Sequence, residues 1–431
     1  MAFDLSWKFE IADYNGLTDI TSYVYNGMVN MTAEVGQMGR SYASITINNN
    51  SGAFTPNGAG TFASTNWFAK ALYIRASSAT TFQNNCVFVG LITDFSVENV
   101  SIVQSTVTIR ADDFLTIAGR STTQVPYAAW TTDAPAMISD MINGGATFFN
   151  GINTPYMGAA NKSRLSLGLG TTIASGAGTT IFSTELSNGR IGDWVNNQII
   201  PAMPGTSFMT DYTISAGAWY WRGYVLDHTL NRTTADKRTY SFVDTYSASI
   251  SSGEIPYTDI DINYDLDTLT NTADTADNLG SWSGSATDTI SANQYGVRAR
   301  QYTSLANVNV VEVQYVAEFW ANRYGTSSYI PRTIWTNYAA LRGTAVDDGV
   351  ALTAFIDLLT ASTAIWNPIS CQYRLAGMAS SATAQIVATG RQITITPSNT
   401  SIKLTTVSGP DNQSFILDSS TYGILDTNRL G

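Results

Sequence analysis

The chain has 431 residues, of which 44% are hydrophobic and only 13% charged, and its formal net charge is −11. That length gives room for about two to four domains with a sizeable core, and the composition is that of a globular rather than a disordered chain. An excess of acid argues against a phosphate-neutralising surface, so specific nucleic-acid binding is not expected, and no apolar run reaches the roughly 18 residues of a membrane span, so neither is stable membrane insertion.

Residues 1–119 read as an N-terminal β-domain, a barrel or a sandwich. The stretch SITINNNSG points Ile45 and Ile47 one way and Ser44, Thr46 and Asn48 the other, and NCVFVGLITDF and STVTIRADD repeat this two-residue period of half-buried strands. Residues 120–224 read as an inserted α+β domain. In DAPAMISDMING, Asp133 stands where an N-cap belongs, and Met137, Ile138, Met141 and Ile142 form a helical stripe. GLGTTIASGAGTTIFSTE fits a loop or flat strands. IGDWVNNQIIPAMPG predicts a short helix with Ile191, Trp194, Val195 and Ile199 inward, and SFMTDYTISAGAWYWRGY predicts a hairpin.

Residues 225–310 begin a second β-domain, with strands in KRTYSFVDTYS and YTDIDINYDLD. The polar patch TNTADTADNLGSWSGSATDTIS reads as a long loop or hairpin tip. Residues 311–367 read as a helical α+β segment: Val313, Ala317, Trp320, Ala321 and Tyr324 share one helical face, and Leu352, Phe355, Ile356 and Leu359 share another. Residues 368–431 return to strands in RQITITPSNTSIKLTTV and end in the compact SFILDSSTYGILDTNRLG. Chain ends usually fray, so apolar residues spaced between turn formers there predict a docking surface. No fixed-period repeat is visible, although the two β-rich parts could be related folds.

Catalytic signatures are absent. The chain has one histidine, His228, and no nucleophile elbow around a serine, which leaves a Ser-His-Asp triad without support. No Lys directly follows a Gly, as a phosphate-binding loop requires. Paired carboxylates for glycoside hydrolysis stay open among 33 acidic residues. Cys86 and Cys371 lack metal-ligand spacing and are expected as buried free thiols of a protein made in a reducing cytoplasm. Asp259, Asp261 and Asn263 have the spacing of a calcium loop, but Tyr264 stands where its glycine belongs. Alternation makes this run a strand whose acidic side, Asp259, Asp261, Asp265 and Asp267, is either a solvated outer face or the wall of a lumen. Trp219 and Trp221 share a face and, with Trp282, are candidates either for hairpin packing or for a glycan platform. No cofactor and no metal are expected.

The ending FILDSSTYGILDTNRLG, through Leu417, Asp418, Gly423, Leu425, Asp426, Arg429 and Leu430, is similar to the end of minor tail proteins of long-tailed bacteriophages. The opening resembles theirs too, in Asp19, Ile20 and Thr21, in Gly39 and Arg40, and in the turn of Ile47, Asn49, Gly52, Phe54, Thr55 and Pro56. VFVGLITDFSV with VTIRADDFLTIAGR, and DLDTLTNTADT with YGVRARQ, resemble further segments in the same order. The resemblance implies a mainly β, multi-domain fold with α+β insertions, built on hub-like barrel or sandwich domains. It also implies a structural virion protein of the tail tip or baseplate hub, assembled in the host bacterial cytoplasm, that closes the tail tube and anchors fibres or receptor-binding proteins. The partners implied are distal tail, tape measure and fibre or receptor-binding proteins, with a homo-oligomer, a trimer favoured, and no enzyme activity. A receptor- or glycan-binding tail module and a tail-associated glycosidase are the alternatives. On this reading the end is an assembly clasp made by Phe415, Leu417, Asp418, Tyr422, Leu425, Asp426, Arg429 and Leu430.

Overall fold

The structure is a computed structural model that describes residues 5–13, 16–34, 37, 39–77, 86–101, 104–113, 131–133, 167–169, 180–182, 193, 195–202, 206–215, 218–227, 239–244, 250–264, 269–305, 310–325, 329–343, 349–360 and 364–408. The chain is mainly β. Seven strands come first: β1 (Ser6–Asp13), β2 (Gly16–Asp19), β3 (Val24–Thr32), β4 (Arg40–Asn48), β5 (Ala71–Ser77), β6 (Cys86–Ser101) and β7 (Gln104–Asp112). They pair in the order β2, β1, β5, β6, β7, β4, β3, every pair antiparallel. Alternation decides which face is buried. Ala43, Ile45 and Ile47 of β4 and Val107, Ile109 and Ala111 of β7 point into one core, while Tyr42, Ser44 and Thr46 stay partly exposed. Gly27 of β3 lets Phe9 of β1 pack close over it, since a Cβ there would stand 3.3 Å from the Phe9 ring.

The middle of the chain contributes β8 (Thr131–Asp133), paired with β10 (Thr180–Phe182), and a small sheet of β9 (Leu167–Leu169), β11 (Thr206–Ser215) and β12 (Ala218–Asp227). The expected hairpin is thus present as β11 and β12, and β11 lies beside β6. Asp133, expected as an N-cap, is the last residue of β8, and the helix expected after it lies outside the described residues. The short helix expected near residue 195 is a single π-helical turn, Val195–Ile199, with Ile199 buried.

The second half contains β13 (Tyr240–Asp244), β14 (Glu254–Tyr257), β15 (Asp259–Tyr264), β16 (Thr272–Asp277), β17 (Ser283–Thr287), α1 (Thr289–Tyr295), β18 (Ala299–Leu305), α2 (Val310–Arg323), β19 (Tyr329–Asn337), α3 (Tyr338–Gly343), α4 (Gly349–Asp357), β20 (Pro368–Tyr373), β21 (Ala382–Ile395) and β22 (Thr400–Ser408). Of the two readings of the polar patch at 270–290, the long loop fails and the hairpin tip holds in part: the tip is the turn at 278–282, but the rest of the patch is the hairpin's own strands, β16 and β17, to which β18 adds a third, parallel strand. Its residues are small because α2 presses on them. A Cβ on Gly284 would lie 2.7 Å from the Cα of Gln314, and Thr275 Oγ1 donates to the Val313 carbonyl at 2.7 Å. On α2, Val313, Val316, Ala317, Trp320 and Ala321 are buried, as the helical stripe requires.

Seven strands of this half, β13, β14, β15, β19, β20, β21 and β22, repeat the pairing of the first seven in chain order. In each set the first strand pairs with the second and the fifth, the fifth with the sixth, the sixth with the seventh, the seventh with the fourth, and the fourth with the third. The departure is β13, which runs parallel to β14 and β20 where β1 is antiparallel to β2 and β5. Even the bulges correspond, between Ile92 and Asp94 in β6 and between Ala388 and Gly390 in β21. The chain is therefore two copies of one topology, and the α+β unit of β16, β17, α1, β18 and α2 is inserted where the first copy has only the link from β3 to β4.

Candidate assembly surface

The two copies are joined strand to strand. On one edge β21 pairs first with β20, through Ala382–Val387, and then with β3, Gly390 to Ile395 facing Thr32 to Gly27; its other edge carries β22. This produces one continuous run of eight strands, in the order β15, β19, β22, β21, β3, β4, β7, β6. Three further bonds fasten the seam. Ala33 N donates to the Thr389 carbonyl at 2.7 Å, Trp366 Nε1 donates to the Ala33 carbonyl at 2.6 Å, and Trp7 Nε1 donates to Thr400 Oγ1 at 2.8 Å. Trp366 holds a left-handed backbone (φ 57°), a costly conformation for a bulky side chain, with its own N–H on the Ala388 carbonyl at 2.9 Å.

One face of the eight strands is apolar and buried, with Val29, Ile45, Ile109, Ile393, Ile402 and Leu404 among its residues. The other is polar and dominated by hydroxyls and amides, including Asn30, Ser44, Thr46, Thr108, Gln392, Thr394 and Thr405. Its cations are few: Arg40 stands exposed, and others lie against neighbours. Lys403 lies over the Trp335 ring at 4.9 Å, Arg110 lies over Tyr42 at 4.7 Å, and Arg110 Nε reaches Asp112 at 3.3 Å.

Asp259 and Asp261 stand exposed on β15, an edge strand that pairs with β19 alone among the described strands. Asp261 accepts a bond from Thr333 Oγ1 at 2.8 Å. Asp265 and Asp267 lie outside the described residues. Trp219 and Trp221 sit on β12 opposite Ile214 and Tyr212, whereas Trp282 is half-buried in the turn between β16 and β17, so these tryptophans belong to two separate sheets. Every residue of the expected clasp, from Phe415 to Leu430, lies outside the described residues, and so does His228. Cys86 and Cys371 are buried free thiols, and burial pushes the Cys371 thiol up to about 12. Among the described residues no group of three His, Cys, Asp or Glu side chains gathers where a metal could be held.

The N-terminal motifs have a structural logic that spacing alone does not reveal. Asn49, buried at 1% exposure, ties the turn together: its Oδ1 accepts from Phe54 N at 2.8 Å, and its Nδ2 donates to Thr55 Oγ1 at 3.1 Å and to Ser105 Oγ at 3.2 Å. Gly52 supplies the positive φ of that turn, 70°, and Phe54 enters an aromatic cluster with Tyr23, Phe62 and Trp67, the last of which stacks on Phe95. Asp19 and Thr21 fix the start of β3. Thr21 N donates to Asp19 Oδ1 at 2.9 Å, and Thr21 Oγ1 accepts from Phe9 N at 2.9 Å. Beside them Glu10 is buried between Lys8, at 2.7 Å, and Arg75. Burial alone would raise the Asp19 carboxyl, but the bonds from Thr21 and the charges of Lys8 and Arg75 outweigh it and leave the carboxyl below its usual range.

No protein-family model matches the chain, and no curated protein sequence does. Among the solved structures that align with it, two match over nearly the whole length of both chains. The tail protein from Neisseria meningitidis MC58 is 10% identical with a TM-score of 0.52, covering 93% of this chain and 96% of that one. The 43 kDa tail protein of prophage MuSo2 from Shewanella oneidensis is 8% identical, also at 0.52, covering 94% of this chain and 99% of that one. The likeness is one of fold: this mainly β chain, with its small inserted sheets, is built like these tail proteins.

Proposed function

We propose that the chain is a structural virion protein of a phage tail tip, a hub-like subunit whose copies form a ring that closes the tail tube and anchors fibres or receptor-binding proteins. The observation that carries this reading is the duplicated topology joined into one eight-stranded wall. A chain that already places two like units side by side, head to tail, has the geometry of a segment of a closed ring.

Three copies of eight wall strands each would put 24 strands in the wall. At about 4.8 Å per strand that wall has a circumference of roughly 115 Å and a diameter of roughly 37 Å, before strand tilt widens it. Side chains projecting about 5 Å inward, half of the usual sheet-packing distance, leave a bore of about 27 Å, wide enough for a DNA double helix. The polar face suits such a bore: hydroxyls and amides dominate it, cations that could retain phosphates are few, and Asp259 and Asp261 would repel them. The residues from Phe415 to Leu430 would act as a clasp on a neighbouring subunit or on the chain's own body.

Electron microscopy of the intact particle, with the subunit located along the tail axis, tests this. A ring of three copies coaxial with the tail is the expected result. A single distal copy attached to a fibre, with affinity for host glycans, would favour the binding-module reading instead. Truncation after Gly409 is expected to abolish incorporation into particles, and normal incorporation would remove the clasp from the account.

A further inference from the structure

The internal seam shows how the outer seams of such a ring would be built. In the duplicated topology β6 corresponds to β21 and β15 to β3. Within the chain β21 pairs with β3; at their counterparts, the edge of β6 turned away from β7 beyond Leu91 and the edge of β15 turned away from β19, no strand pairs among the described residues, although β11 lies near β6. Aligning the copies by their shared cross-strand partners fixes the register. At the internal seam one row across four strands reads Ser401, Thr394, Met28, Ser44. The equivalent row at an outer seam reads Thr106, Glu98, Asp261, Thr333, because Glu98 pairs with Thr106 and Asp261 with Thr333. The row that is neutral inside the chain therefore sets two exposed carboxylates opposite each other between chains.

We propose that neighbouring copies join through the outer edges of β6 and β15, in the register that β21 and β3 already use, and that Glu98 and Asp261 face each other across that seam and weaken it. This rests on the ring reading above. Like charges directly opposite each other on paired strands are unfavourable, and no cation offsets these two within the row. Free subunits consequently stay apart at concentrations where a neutral seam would close. Ring formation then depends on the growing tail to concentrate the subunits, and wasteful closure in solution is avoided.

A charge-swap cycle on the full-length chain tests the seam. Both positions are exposed, so Glu98→Lys and Asp261→Lys leave the core intact, which circular dichroism verifies. Each single variant places opposite charges across the seam and is expected to strengthen association by about 5-fold per seam, or roughly 100-fold for a ring with three seams. The double variant should return to weak association. Analytical ultracentrifugation at low and high salt should show salt strengthening the wild type and the double variant, and weakening the singles. As a positional test, Glu98→Cys with Asp261→Cys should give disulfide-linked multimers on oxidation in assembled tails, since facing Cβ atoms lie about 5 Å apart. Rings in the particle together with unchanged singles and no cross-link would overturn the seam while leaving the ring reading intact. A particle that contains no ring of this subunit would overturn both.

Discussion

Asn49 offers the sharpest test of how the first copy is held together. Its carboxamide makes three hydrogen bonds inside the protein, to Phe54 N, Thr55 Oγ1 and Ser105 Oγ. Replacing Asn49 with Ala deletes all three, at about 1 kcal/mol net each, and leaves a buried N–H on Phe54 whose desolvation adds to the loss, so about 3 to 4 kcal/mol is expected. That is a large fraction of the 5 to 15 kcal/mol over which domains are typically stable. With a urea m-value of about 2 kcal/mol/M, the unfolding midpoint should fall by about 1.5 to 2 M, and hydrogen exchange at Phe54 N should accelerate with it. The isosteric Asn49→Asp separates the contributions. Its carboxylate still accepts from Phe54 N but donates nothing to Thr55 or Ser105 and buries a charge. Burial raises the carboxyl's folded pKa above the unfolded value of about 3.9, so the variant loses stability as pH rises through that interval and recovers as pH falls. An Asn49→Ala loss of less than about 1 kcal/mol, or an Asn49→Asp penalty that is flat with pH, would refute the claim that this side chain organises the turn.

Trp366→Phe keeps a ring but removes the donor to the Ala33 carbonyl across the internal seam; a loss of about 1 to 2 kcal/mol is expected in urea unfolding, with faster exchange at Ala33 N and Gly390 N as the local readout. Gly284→Ala should push α2 away from β17, because its Cβ would fall 2.7 Å from Gln314 Cα; about 2 kcal/mol or more is expected from thermal melts, with the change confined to the inserted unit. Asp19→Asn should flatten the acid limb of the stability curve. The folded Asp19 pKa is lowered, so its contribution is present at neutral pH and is lost as pH falls below the ordinary carboxyl value toward the folded one; a wild-type acid limb in the variant would remove Asp19 from that role.

Much of this architecture was legible in the chain because burial on a sheet leaves a two-residue imprint. SITINNN, STVTIRAD and RQITITP each alternate, and each is a strand. The stripes on α2 and α4 were legible for the same reason at helical period, with Trp320 and Phe355 buried. The strands of the inserted hairpin, β16 and β17, were not, because their buried residues include Ala273, Thr275 and Gly284, whose value lies in being small beneath α2 rather than in being apolar, together with the polar Asp277. The seam was hidden for a different reason. Trp366 and Ala33 are separated by 333 positions, and the duplicated pairing leaves too few shared residues to find: the corresponding bulges, LITDF in β6 and VATGR in β21, agree only in their central Thr. Asn49 was visible as part of a motif, but its role as the knot of the turn needed the geometry of Ser105, 56 residues away.

Where the two copies differ suggests how they divide their work. The four strands that each lends to the continuous wall, β3, β4, β7 and β6 in one and β15, β19, β22 and β21 in the other, retain their pairing, their directions and the bulge common to β6 and β21, although β15 and β19 slip in register between Asp261 and Ile262 where β3 and β4 do not. The larger differences lie off that wall: the reversed β13, the α+β unit between β15 and β19, the helices α3 and α4 between β19 and β20, and the aromatic turn around Asn49 and Phe54 that fills the same place in the first copy. A shared wall demands like units because every seam must meet the same spacing and twist. The elements off the wall carry no such constraint, and an odd and an even unit in alternation give a ring two kinds of outer surface. If the proposed ring and its role in anchoring hold, partners that bind once per chain rather than once per unit would have to read those elements, so fibres or receptor-binding proteins would sit on elements such as the inserted unit of the second copy and not on the strands common to both.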